Sequence, residues 1–69
     1  MKIVNATVLL NRVVLITLNE KVDYDKTIIL INGQSYEFSP VYDAENTIAV
    51  PYSQELNINL KGKEIEYDN

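Results

Sequence analysis

The dipeptide Asn32-Gly33 constrains the fold of this chain more strongly than any other feature of its sequence. It separates two runs, 27–31 and 34–38, that are rich in β-branched and aromatic residues, which favour strands. Asn and Gly both tolerate the positive φ angles of a type I′ turn, and the twist of that turn matches the twist of paired strands. The sequence therefore predicts an antiparallel hairpin over 27–38.

A two-residue loop fixes which side chains of this hairpin share a face. The predicted pairs are Ile31 with Gln34, Leu30 with Ser35, Ile29 with Tyr36, Ile28 with Glu37 and Thr27 with Phe38. The candidate core face therefore carries Ile29, Ile31, Tyr36 and Phe38. Because Ile28 and Leu30 on the other face are also apolar, we expect the first strand to be central in a rolled sheet or to meet a second copy.

A second β-rich run covers residues 2–18 and is interrupted by Asn11-Arg12. A two-residue turn at this dipeptide pairs Leu10 with Val13, Val8 with Leu15 and Ala6 with Thr17, and one longer, bent strand is the alternative. Between Ile3 and Asn19 the only charged residue is Arg12. Such a segment is prone to aggregate when exposed, so we expect it to be buried inside the domain or against a second copy.

Residues 56–67 predict another hairpin, with its turn at Lys61-Gly62. Its apolar residues share one face when Leu60 pairs with Lys63, Ile58 with Ile65 and Leu56 with Tyr67. Between the hairpins, the pattern predicts polar loops over 19–26 and 39–45, a short strand over 46–50 and a turn or single helical turn over 52–55.

These hairpins predict an all-β fold of about six or seven short strands in a single small domain, 1–69. Short antiparallel strands favour a small barrel or β-roll, SH3-like or a related small barrel. The chain of 69 residues has no Cys, so no disulfide adds stability. A domain of this size buries only ~60% of its unfolded surface, and self-association would increase that burial.

The charge balance excludes some partners. Ten acidic and six basic side chains give a net charge of −4, which opposes binding to nucleic-acid phosphates and to anionic membranes. The apolar run near the N-terminus contains Asn5, Thr7, Asn11 and Arg12, so it resembles neither a transmembrane helix nor a signal peptide. We therefore expect a cytoplasmic protein with no nucleic-acid or membrane partner.

The residue types also argue against catalysis. The chain has neither His nor Cys, the commonest general base and the thiol nucleophile. Carboxylates two residues apart could bind a cation, but Asp and Glu are ordinarily exposed and solvated; the pairs are Asp23 with Asp25, Asp43 with Glu45 and Glu64 with Glu66. No glycine-rich phosphate loop occurs. We expect no enzyme activity, cofactor or metal site.

The five tyrosines are the remaining candidates for a binding surface. Tyr36 and Tyr67 fall on apolar faces and are expected in the core. Tyr24, Tyr42 and Tyr52 lie in or beside loops, and tyrosine is enriched at protein interfaces. The sequence therefore predicts a non-catalytic protein–protein interaction module in which these three residues contact a protein partner. A homo-oligomer is compatible with this prediction. Two alternatives stay open: an acidic decoy that occupies a basic protein surface, and a barrel that binds a small molecule or single-stranded nucleic acid.

Overall fold

The computed structural model describes residues 1–56 and 59–68. These residues form seven strands and one turn of 3-10 helix: β1 Ile3–Leu9, β2 Val13–Leu18, β3 Ile28–Ile31, β4 Gln34–Glu37, β5 Ser39–Val41, β6 Ala44–Pro51, the 3-10 helix Gln54–Leu56 and β7 Glu66–Tyr67. The all-β prediction is confirmed. The turn or helical turn predicted over 52–55 is a 3-10 turn that lies slightly later, at Gln54–Leu56. No helix in the described part of the chain is long and apolar enough to cross a membrane.

The strands form two antiparallel sheets, one in the order β1-β2-β6-β5 and the other in the order β4-β3-β7. The chain passes from one sheet to the other at Phe38, the single residue between β4 and β5. An isolated bridge between Lys2 and Glu64 links the N-terminal and C-terminal segments. Within the described residues the sheets are not closed into a barrel, and the SH3-like prediction is not confirmed.

The core lies between the two sheets and is entirely apolar in the part of the chain described. Its buried members are Ile3, Val14, Ile16, Leu18, Val22, Ile29, Ile31, Phe38, Ile48, Val50, Leu56, Leu60 and Ile65. Alternate residues of β2, β3 and β6 supply most of them, because successive side chains of a strand point to opposite faces. Fully burying each Val, Leu or Ile contributes about 1.5–3 kcal/mol.

The central hairpin is present as predicted. Each pair between β3 and β4 occurs in the expected register, and Asn32 and Gly33 have φ angles of 54° and 79°, as a type I′ turn requires. The strand β3 is central in its sheet, between β4 and β7. Ile28 and Leu30, on its second face, are half-buried, so this strand is partly covered on both sides as expected.

The N-terminal hairpin is shifted by one residue from the prediction. Its loop contains three residues, 10–12, and the N–H of Arg12 donates to the carbonyl oxygen of Leu9 at 2.9 Å. Leu10 and Asn11 have positive φ angles of 52° and 53°. The predicted pairs of Leu10 with Val13, Val8 with Leu15 and Ala6 with Thr17 are wrong; Leu9 pairs with Val13, Val8 with Val14 and Ala6 with Ile16.

The shift keeps polar side chains out of the core. In the predicted register, Thr7 would lie opposite Ile16 on the buried face of β2, and Asn5 would lie opposite Leu18. Burying such groups without partners costs about 1–3 kcal/mol each, whereas the positive φ of Leu10 costs about 1–2 kcal/mol. The observed register instead packs Ala6 against the core and pairs Val8 with Val14, and a bulge between Ile3 and Asn5 brings Ile3 into the core.

The expected burial of the N-terminal run occurs along β2 and at Ile3, whereas most of β1 stays exposed. The strand β1 lies at the edge of its sheet. It leaves Val4 and Leu9 with 47% and 42% of their surface exposed, and the adjoining turn leaves Leu10 89% exposed. A substantial uncharged apolar surface therefore remains on this edge.

The C-terminal segment keeps its predicted turn but not its predicted hairpin. The N–H of Lys63 donates to the carbonyl oxygen of Leu60 at 3.1 Å, and Gly62 has a φ angle of 90°. Tyr67 pairs with Ile29 of β3, so the predicted pair of Leu56 with Tyr67 is wrong. The predicted pair of Ile58 with Ile65 lies outside the described residues, because position 58 does.

The N-terminus takes the place of the expected hairpin partner. The N–H of Ile3 donates to the carbonyl oxygen of Lys63 at 2.9 Å, and the N–H of Ile65 donates to that of Met1 at 2.8 Å. These bonds occupy the backbone groups that a local hairpin would have used. The segment 63–65 therefore pairs with the N-terminal residues 1–3 and not with the preceding residues of its own predicted hairpin.

The predicted loop over 39–45 is too long, because residues 39–41 form β5. This strand pairs with β6, which is longer than the predicted strand 46–50. Pro40 lies opposite Ile48 on the edge of the sheet. A proline at an edge is tolerated because no neighbouring strand needs its missing N–H.

We predict that Leu10→Asn stabilises the protein, because Asn adopts a positive φ angle more readily than Leu does. The expected gain in the free energy of unfolding is about 1 kcal/mol, measured by urea denaturation. Leu9→Asn is the matched control, since it removes a similar exposed side chain from an extended strand position. An equal effect of the two substitutions would contradict the three-residue loop.

Candidate functional site

Two of the three predicted contact tyrosines, Tyr24 and Tyr42, lie side by side. Their ring centroids are 6.5 Å apart and the ring planes are tilted by 44°, a distance at which aromatic rings attract each other. Tyr24 is 52% exposed and Tyr42 is 86% exposed. We call these two residues the tyrosine pair. It offers a large amphipathic surface to solvent.

Tyr52 lies elsewhere. It follows β6, whereas Tyr42 precedes it, and a strand of eight residues is about 26 Å long. The N–H of Tyr52 donates to the carbonyl oxygen of Arg12 at 3.0 Å, at the far end of the sheet. Its side chain is partly buried against the core. The structure therefore does not bring Tyr52 to the tyrosine pair.

Hydrogen bonds join the loop 19–27, which carries Tyr24, to the start of β6, directly after the loop 42–43 that carries Tyr42. The side chain of Val22 is buried, and its N–H donates to the carbonyl oxygen of Glu45 at 2.8 Å. The side-chain amide of Asn46 donates to the carbonyl oxygen of Leu18 at 3.1 Å. These bonds connect the loop 19–27 to the start of β6, so the two rings belong to one connected surface.

A local turn presents the ring of Tyr24. Asp23 accepts hydrogen bonds from two residues that follow it: its side-chain Oδ1 accepts from the N–H of Asp25 at 3.0 Å, and its carbonyl oxygen accepts from the N–H of Lys26 at 3.1 Å. Asp favours turns for this reason, because its side chain bonds to the backbone two residues on. The turn leaves Tyr24 at its tip.

Tyr67 positions this turn from the other sheet. Its hydroxyl oxygen accepts a hydrogen bond of 2.8 Å from the N–H of Asp23, which is 44 residues away in sequence. Its ring lies 6.1 Å from that of Phe38, centroid to centroid. The sequence indicated a core role for Tyr67, and the apolar pattern contained no signal for the bond to Asp23.

The two loops also hold most of the net charge. With the first residues of β6, the segments 19–27 and 42–45 contain two lysines, Lys21 and Lys26, and five carboxylates, for a net −3 of the −4 of the whole chain; the carboxylates are Glu20, Asp23, Asp25, Asp43 and Glu45. The Lys21 ammonium lies 3.7 Å from the carboxylate of Glu45, and both side chains are largely exposed, so this ion pair adds little stability. The tyrosine pair therefore sits in acidic surroundings.

The third carboxylate pair, Glu64 and Glu66, lies away from these loops. Both residues line an open groove of about 520 Å³, together with Leu30, Asn32 and Lys63. An oxygen of Glu64 lies 3.5 Å from the terminal ammonium of Met1. Among the described residues, no three carboxylates converge to hold a metal ion. The groove shows no arrangement of groups that specifies a reaction.

No family model, curated protein or solved structure matches this chain. A function must therefore be inferred from the chain's own geometry. The tyrosine pair is the feature that offers a defined, exposed and chemically distinctive surface.

We predict that Tyr67→Phe loosens the loop that carries Tyr24, because the N–H of Asp23 then lacks its protein acceptor. The expected loss is about 0.5–1 kcal/mol in the free energy of unfolding, with faster hydrogen exchange at the Asp23 amide. Tyr36→Phe is the control, since the Tyr36 hydroxyl donates only to the exposed side chain of Gln34. Identical exchange at Asp23 in both variants would contradict the positioning role.

Proposed function

We propose that this protein is a non-catalytic protein–protein interaction module whose contact surface is centred on the tyrosine pair. The supporting observation is the exposure of two adjacent rings, 6.5 Å apart, of which one is on the loop that bonds to the start of β6 and the other directly precedes that strand. Tyrosine provides a large contact area at a low cost in side-chain entropy. Residues of this type dominate the binding energy of many interfaces.

The charge around the tyrosine pair specifies the chemistry of the partner. A net charge of −3 on the segments 19–27 and 42–45 favours a protein surface rich in Lys and Arg. Complementary charge speeds association and suppresses wrong partners, while the buried rings supply most of the affinity. Binding should therefore weaken as salt concentration rises, because salt screens exposed charges.

An acidic decoy is the second candidate, and the grouping of charge favours it. Four of the six paired carboxylates lie in the segments 19–27 and 42–45, which a backbone hydrogen bond joins; they are Asp23, Asp25, Asp43 and Glu45. A decoy would occupy the site at which its partner normally binds an anionic ligand. The third candidate is a barrel that binds a small molecule or single-stranded nucleic acid. The same negative charge opposes nucleic-acid binding, which would need a basic groove beside the rings.

The test is a comparison of binding by the wild type and the double variant Tyr24→Ala/Tyr42→Ala. Partners captured from the source cell on wild-type protein are identified by mass spectrometry, and their dissociation constants are then measured for each variant. Loss of about 2 kcal/mol from a central aromatic contact corresponds to about thirtyfold weaker binding. Leu9→Ala, an exposed apolar truncation on β1, is the control and should bind as the wild type does.

Unchanged affinity of the double variant would refute the proposed contact surface. Both substituted residues are exposed, so the variant should keep its stability within about 0.5 kcal/mol, and a urea titration confirms that it is folded. Displacement of the partner's anionic ligand by the wild-type protein would identify a decoy. A complex that retains that ligand would identify an interaction module.

A further inference from the structure

Tyrosine is the surface residue of this chain that loses an electron most readily. Cys and Met are common sites of oxidation in proteins, but the sequence has no Cys and no Trp. The one methionine, Met1, has a side chain that is only 3% exposed. A one-electron oxidant in solution therefore meets tyrosine rings before any other side chain that it oxidises readily.

The two residues of the tyrosine pair are the tyrosines that such an oxidant reaches most easily. Tyr24 and Tyr42 are exposed, whereas the other three are half-buried. The hydroxyls of Tyr36 and Tyr67 each make a hydrogen bond, and Tyr52 packs against the core. In the part of the chain that the structure describes, no other two tyrosine rings are in contact. Exposure and proximity therefore coincide at the tyrosine pair.

The fold holds the two rings near each other although they are 18 positions apart in sequence. The N–H of Val22 donates to the carbonyl oxygen of Glu45 at 2.8 Å, which fixes the loop 19–27 against the start of β6. A reactant that is held in place in this way has an effective concentration in the millimolar range or above. At micromolar protein concentration, each ring therefore meets the other far more often than it meets a ring of a second chain.

We propose that the tyrosine pair is a site of oxidative cross-linking, at which a one-electron oxidant joins Tyr24 to Tyr42 of the same chain as dityrosine. The centroid distance of 6.5 Å is longer than that of two directly bonded rings, so the rings have to move together. Tyr42 is 86% exposed, and exposed side chains change rotamer within picoseconds to nanoseconds. Neither ring packs against the core, so this movement leaves the core undisturbed.

The coupling balances with a haem peroxidase as the one-electron oxidant and hydrogen peroxide as its source of oxidising power. Each phenol gives up one electron and its hydroxyl proton and becomes a phenoxyl radical. The two radicals join through the ring carbons next to the oxygen-bearing carbons, which forms one C–C bond. The hydrogens on those carbons then move to the oxygens and restore two phenols. One molecule of hydrogen peroxide accepts the two electrons and two protons and is reduced to two molecules of water.

The cross-link stabilises the fold by restricting the unfolded chain. It closes the part of the chain that contains β3, β4 and β5, as a disulfide closes a loop, and so limits the conformations that this part adopts when unfolded. A chain without Cys has no disulfide to serve this purpose. The coupling needs no partner protein, so it does not rest on the function proposed for the same two residues.

The experiment treats the wild type at low micromolar concentration with hydrogen peroxide and a haem peroxidase. We expect the fluorescence of dityrosine and a monomer that is lighter by two hydrogen atoms. Trypsin, which cleaves after Lys and Arg, releases Tyr24 in the peptide 22–26 and Tyr42 in the peptide 27–61, and mass spectrometry should find these two peptides joined. The linked monomer should have a melting temperature that is higher by about 5 °C or more.

Substitutions by Phe distinguish the tyrosine pair from the other tyrosines, because Phe keeps the ring and removes the phenol. Tyr24→Phe and Tyr42→Phe should each lose the linked monomer. Tyr36→Phe is the matched control, since it also lies in the peptide 27–61, and it should give the linked monomer in the same yield as the wild type.

Cross-linked dimers in place of the linked monomer would overturn the proposal. So would an absence of dityrosine in the wild type, or a linked monomer that survives in Tyr24→Phe or Tyr42→Phe. An unchanged melting temperature of the linked monomer would refute the stabilising role of the cross-link.

Discussion

The exclusion of polar groups from the buried face of β2 governs the rest of the structure. Val14, Ile16 and Leu18 occupy this face and are at most 1% exposed. Because β2 pairs with both β1 and β6, its buried face sets the register on each side. A polar side chain opposite these residues would lose its hydration without gaining a partner. The positive φ angle of Leu10 and the bulge in β1 cost less free energy than burying such a polar side chain would.

Local sequence was sufficient to predict strand pairing where the turn and the burial of apolar side chains favour the same register. Asn32-Gly33 specifies a two-residue loop, and that loop places Ile29 and Ile31 on the buried face, so every pair of the central hairpin was predictable. At Asn11-Arg12 the two requirements conflict: a two-residue turn there would direct Thr7 into the core. Burial of the apolar face of β2 decided the register of the N-terminal hairpin. Because residues 2–18 are apolar on both faces, their sequence did not show which face would be buried.

The C-terminal segment and the candidate surface depend on contacts between residues far apart in sequence. The alternation of 56–67 predicted a hairpin because it could not show that the N-terminus competes for the same backbone groups. Likewise, composition and position identified Tyr24 and Tyr42 as loop residues. Their proximity depends on the bond from Val22 to Glu45, for which neither loop contains a local signal. The same reasoning from composition and position selected Tyr52, but this residue lies at the other end of β6.

The surface of the protein divides into two chemically different parts. The edge strand β1 of the larger sheet has no charged residue, while the loops beside the opposite edge, β5, are acidic and carry the tyrosine pair. Complementary charge favours contact of a basic protein surface with the acidic, aromatic part. The uncharged part lacks groups that would discriminate between partners by charge.

The hydrogen bond between Asp23 and Tyr67 has a consequence for the order of folding. Closing a long loop costs more chain entropy than forming a local hairpin, so contacts between distant residues tend to form late. The central hairpin needs only neighbouring residues and can form early. The turn that presents Tyr24 is complete only after β7 has docked beside β3. A partially folded chain would therefore contain its core hairpin before it acquires its binding surface.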